Sequence, residues 1–146
     1  MTCQHVPVKS GVRIAWLATF IVMAIAPSAS AGAIAGCKTL DTRLTPQQSS
    51  EYARLAADAM TAKIRPKDVK IRQYMQSGAW SAVYISTPVS ENGMMFFLSD
   101  RKTKQFKGVW GGWATPDDRK ELISWAEGIG APPTLARCFA DSVTAR

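Results

Sequence analysis

From Tyr52 onward, apolar residues recur with the spacing of a helix. Tyr52, Leu55, Ala56, Ala59, Met60 and Ile64 fall at i, i+3, i+4, i+7, i+8 and i+12, while Glu51, Arg54, Asp58 and Lys63 lie off that stripe. The preceding Thr45-Pro46-Gln47-Gln48 is a start signal. Threonine caps free N–H groups, proline suits the first helical position, and Gln48 stands at the third position of a capping box. Pro66 is the expected stop, because the residue before a proline is pushed out of helical geometry.

The pattern then changes to a period of two. Val69 and Ile71 alternate with Lys70 and Arg72, which predicts a half-buried strand over 68–76. Ser77-Gly78 reads as a turn and 79–87 as a second strand. Asn92-Gly93 is a hairpin signal, since both residues tolerate the positive φ of a type I′ turn. The run Met94–Leu98 (MMFFL) is a third strand, apolar on both faces. A polar reversal over 100–105 leads to a fourth strand over 106–114.

A second helix start follows at Thr115-Pro116-Asp117-Asp118, with acids placed to complement the helix dipole. Leu122, Trp125, Ala126 and Ile129 form its stripe, a glycine at 128 or 130 stops it, and Pro132-Pro133 prevents continuation. Residues 134–139 are expected to form one short turn. The predicted fold class is α+β: a single two-layer domain of helix, four-stranded antiparallel meander and helix, with both helices on one sheet face.

The first 31 residues read differently. Lys9 and Arg13 precede a thirteen-residue apolar run from Ile14 to Ala26, and Pro27 and Ala29-Ser30-Ala31 follow. This is the layout of a cleaved export signal. The run is shorter than the roughly 20 residues that cross a bilayer as a helix. Cleavage leaves one domain over 32–146 with 16 basic and 11 acidic residues, two cysteines and no histidine.

Ala33-Ile34-Ala35-Gly36-Cys37 matches a lipobox in composition, which would make Cys37 the lipid-anchored first residue. Ten residues separate it from the apolar run, however, and acylation would strand Cys138 as a lone thiol. Two cysteines in an exported domain pair naturally, so a Cys37–Cys138 disulfide and a periplasmic or secreted location are the preferred reading.

The missing imidazole limits the available chemistry. Triads, most general acid–base schemes and the common zinc sites lean on histidine, and no glycine-rich phosphate loop occurs. Neither catalysis nor a cofactor is expected. Asp117, Asp118 and Glu121 read as helix-start acids. The segment 106–113 (FKGVWGGW) stands out for recognition. Trp110 and Trp113 would face opposite ways on a regular strand. A bulge at Gly111-Gly112 would align them as an anchor for a partner. Arg101, Lys102, Lys104 and Lys107 surround the neighbouring reversal, and Lys63, Arg65, Lys67, Lys70 and Arg72 form a second basic group.

These features predict an exported, non-enzymatic protein that engages another protein, as an inhibitor or immunity protein does, through Trp110, Trp113 and the basic residues 101, 102, 104 and 107. An envelope-associated module binding lipid, lipopolysaccharide or cell-wall polymer through the basic reversal is the alternative. A small carboxylate-dependent enzyme is the second, and it needs two acids of raised pKa facing one cleft.

Overall fold

The computed structural model describes residues 37–145, all within the compact unit Ala31–Arg146. The export signal and the residues 33–36 beside Cys37 lie outside the described residues. Helix α1 (Pro46–Ala59) is followed by strands β1 (Lys70–Ser77), β2 (Trp80–Ser86), β3 (Gly93–Asp100) and β4 (Thr103–Gly111). Helices α2 (Arg119–Gly128) and α3 (Pro133–Thr144) complete the chain. The strands form one antiparallel sheet in the order β1-β2-β3-β4, so the α+β class and the meander are as the periodicity predicts.

Both helix starts form. Gln48 N–H donates to Thr45 Oγ1 at 3.2 Å and Thr45 N–H to Gln48 Oε1 at 2.9 Å, closing the capping box. Helix α1 ends at Ala59 rather than near Pro66. Met60 is already extended, and Pro66 instead opens a 3-10 turn over Pro66–Asp68 that leads into β1.

The helices do not share a sheet face. Tyr52, Ala53, Ala56 and Ala57 of α1 pack with Tyr74, Val83, Ile85, Met95 and Phe97. Leu122 and Ala126 of α2, with Leu135, Ala136, Phe139, Ala140 and Val143 of α3, pack with Met75, Ala82, Met94 and Phe96. Neighbours along β3 alternate between the two cores, as strand geometry requires. Helix α1 therefore covers one face and α2 with α3 the other, giving three layers. The two-sided apolarity of Met94-Met95-Phe96-Phe97 is the cause, because a strand buried on both faces has no polar side.

Residues 133–144 form a full twelve-residue helix where a short turn was expected. Pro133 takes the first helical position, where its missing N–H costs nothing, so the proline pair begins a helix as well as ending one. Arg119 Nε donates to Asp141 Oδ1 at 2.6 Å and joins α2 to α3. On the opposite face, the buried Tyr52 hydroxyl donates to Ser81 Oγ at 2.7 Å.

Turn geometry also differs from expectation at one place. Ser77 and Trp80 pair across Gly78-Ala79, and Gly78 has the φ of 58° that this tight turn requires. Asn92-Gly93 is no such turn. Residues 87–92 form the connection, and Gly93 is buried inside β3, paired with both Ile85 and Gly111. A Cβ there would lie 3.0 Å from the Trp110 carbonyl oxygen and 3.2 Å from Val109 Cγ2. Glycine is thus needed for close backbone approach. Gly93→Ala should cost about 1–3 kcal/mol in chemical denaturation, and an unchanged midpoint would contradict that packing.

Candidate functional site

Strand β4 decides what faces what. Phe96 pairs with Gly108 and Phe97 with Phe106, so Lys107 is an extra residue, a β-bulge. The bulge resets the alternation. Lys104 and Phe106 share the α1 face through their partners Ser99 and Phe97, whereas Gly108 and Trp110 share the opposite face through Phe96 and Met94. The expected bulge at Gly111-Gly112 is absent. At Gly112 the chain instead leaves the sheet with a φ of 113°.

Trp110 and Trp113 do come together. Trp110 is half-buried, its ring 5.7 Å from Phe139 in an edge-on contact. Trp113 is 94% exposed. The two indoles and Ala114 line both of two adjoining clefts. One cleft, of about 290 Å³, is completed by Asp118, Glu121, Leu122 and Trp125. The other, of about 400 Å³, is completed chiefly by Tyr84, Glu91, Asn92 and Val143. Trp125 is braced by Phe96 at 5.6 Å and Phe139 at 5.9 Å, and its ring lies over Gly108, where a Cβ would come within 3.6 Å. The indoles thus stand on a packed aromatic base.

The basic residues are elsewhere. Arg101 and Lys102 form the β3–β4 turn at the other end of β4, nine and eight positions from Trp110, which is at least roughly 26 Å along an extended strand. Lys104 is occupied: its Nζ donates to Glu51 Oε1 at 2.6 Å and sits 5.4 Å from the centre of the Tyr52 ring. It acts as a strut between β4 and α1. Lys107, in the bulge, is exposed. The structure therefore unites the aromatic half of the expected surface and separates it from Arg101, Lys102 and Lys104, leaving only Lys107 on the same stretch of strand. Of the second basic group, Arg65 pairs with Asp68 at 2.7 Å, and Lys67 and Lys70 line a shallow recess beside Ser86 and Pro88.

The clefts carry acids that sequence reasoning assigned only to a helix start. Asp118 Oδ2 accepts from Thr115 N–H at 2.7 Å and from Thr115 Oγ1 at 2.9 Å. The backbone hydrogen bond, then the hydroxyl, holds its carboxyl below the usual carboxylate range. That is opposite to the raised value a proton-donating carboxyl requires. Tyr84 and Glu91 were missed as well. No periodicity marks Glu91, which reaches the cleft because it lies just before β3, whose first residue Gly93 pairs with Gly111 at the end of β4. Among the described residues, no group of three or more His, Cys, Asp or Glu side chains is placed to hold a metal ion.

Cys37 and Cys138 form a disulfide, with Cα atoms 4.8 Å apart and both residues buried in the α2/α3 core. A buried bridge of this kind fits a non-cytoplasmic compartment. Among the described residues, no helix is long and apolar enough to cross a membrane. These features define a disulfide-closed α+β domain with an aromatic double cleft at one sheet end. No protein-family model, curated protein or solved structure matches the chain.

Proposed function

We propose that the chain is an exported, periplasmic or secreted binding protein that engages another protein, in the manner of an inhibitor or immunity protein, through the tryptophan-lined end of β4. The observation that carries this reading is Trp113, an indole 94% exposed beside the half-buried Trp110. An indole left in water at the mouth of a well-packed cleft contributes little to folding. It offers a partner a large, rigid apolar anchor of the kind that dominates protein interfaces. The envelope-binding alternative draws on Arg101 and Lys102, exposed at the opposite end of the same strand.

A photo-crosslinking residue with a large aromatic side chain, which keeps an apolar ring at the anchor position, placed at 113 or at 102 in exporting cells separates the two. A discrete protein adduct is expected from position 113 and none from 102, and it should disappear on competition with unmodified protein but not with Trp113→Ala. Because the Trp113 side chain is solvated, that variant should keep its unfolding free energy within about 0.5 kcal/mol. Adducts from 102 alone, or equal competition by Trp113→Ala, would overturn the assignment.

A further inference from the structure

We infer that the double cleft around Trp110 and Trp113 receives the guanidinium group of an arginine side chain presented by the partner. This deepens the reading of that sheet end as a protein-contact face and rests on it. Four aromatic rings supply the walls: Trp110 and Trp113 shared by both clefts, Trp125 in one and Tyr84 in the other. Their carboxylates are Asp118 and Glu121 on one side of the tryptophans and Glu91 on the other.

Among the described residues, no lysine, arginine or histidine lines either cleft, although the chain as a whole carries a net charge of +7. The acids therefore face open space rather than cations of their own fold. Asp118 is engaged by Thr115 and held ionised. Glu121 and Glu91 are exposed, and their carboxylates stand ready for an incoming charge.

The chemistry selects arginine among cations. Guanidinium is planar and weakly hydrated, stacks on an indole face, and presents a fork of N–H donors to a carboxylate. A lysine ammonium is a compact, strongly hydrated charge and gives up more on leaving water. The cleft volumes, about 290 and 400 Å³, lie at the low end for ligand pockets and suit one long side chain rather than a bulky molecule. The indole walls stand on a base of Phe96 and Phe139, so the stacking surface beside the carboxylates is held in place before a guanidinium arrives.

The test uses two tripeptides that differ in charge and not in shape. Acetyl-Gly-Arg-Gly-amide and its citrulline counterpart are titrated into ¹⁵N-labelled exported protein while the indole N–H signals are followed. Trp110, Trp113 and Trp125 should shift saturably with the arginine peptide. Trp80 lies at the opposite end of the sheet, against Gly130, and should stay fixed as an internal reference. The citrulline peptide should bind at least about fivefold more weakly, and the preference should shrink in Glu121→Gln and as salt rises. Glu121 is exposed on α2, so the variant keeps its fold, which its melting curve verifies.

Equal binding of both peptides, or no saturable shift with the arginine peptide, would overturn the inference. So would movement of the same three indoles by a neutral oligosaccharide but not by the arginine peptide. If these probes fail while position 113 still crosslinks to a protein, the contact face stands and only the arginine assignment falls.

Discussion

Replacing Cys37 and Cys138 together by serine is expected to lower the unfolding free energy by about 4–5 kcal/mol. The bridge joins residues 101 positions apart, so its loss frees nearly the whole domain in the unfolded state. Segment 37–41 is otherwise attached by few bonds. Asp41 exchanges backbone hydrogen bonds with Gln76 at 3.2 and 2.9 Å, and Leu40 only partly enters the core. A domain of this size has a total stability of roughly 5–15 kcal/mol, so this change approaches the threshold of unfolding. Urea titration of the double variant measures the loss. Intact mass before and after reduction should differ by two hydrogens in the native protein. A midpoint unmoved by the double substitution, or an unchanged mass on reduction, would contradict the bridge.

The second large effect is expected at Phe139. Its ring is fully buried and touches Phe96 at 5.1 Å, Trp110 at 5.7 Å and Trp125 at 5.9 Å. Phe139→Ala removes the shared support of three rings and should cost about 3–5 kcal/mol. Phe139→Leu, which keeps most of the volume, should cost about 1.5 kcal/mol or less. Because Phe139 props two cleft walls, the alanine variant should also lose near-ultraviolet circular dichroism from the tryptophans under conditions where it remains folded. A loss near 1 kcal/mol for Phe139→Ala would mean that the aromatic base does not carry the load assigned to it. Trp113→Ala, in contrast, touches only the outer lip of the same cleft.

Much of this architecture is legible in local pattern. The capping box at Thr45 and Gln48 and the four strands follow from short-range chemistry that acts much the same in any fold, and the cysteine pairing follows from there being two cysteines in the expected domain. What local pattern misses is how elements are shared between faces. Met94-Met95-Phe96-Phe97 carries the needed signal, since a strand with no polar side demands cover on both. That demand is met by α1 on one side and by α3 on the other, and α3 is the helix that the proline pair at 132–133 obscures. Asn92-Gly93 misleads because glycine serves two purposes. It permits positive φ, and it permits close contact, and only the neighbouring backbone of Trp110 decides between them. The candidate site was half legible. Trp110 and Trp113 announce themselves by type, but Glu91 and Tyr84 arrive through tertiary folding. Arg101 and Lys102 are carried away from the tryptophans by a strand some nine residues long.

The bulge at Lys107 decides which side chains the far end of β4 presents to each face. Everything downstream of it keeps its inward or outward aspect by a single count. Were Lys107 drawn into a regular ladder instead, Val109 would fall opposite Met94 and face Phe139, and Trp110 would fall opposite Gly93 on the α1 side. Setting that one residue outside the ladder is therefore what aims the indole at its recess, with no change of composition at all.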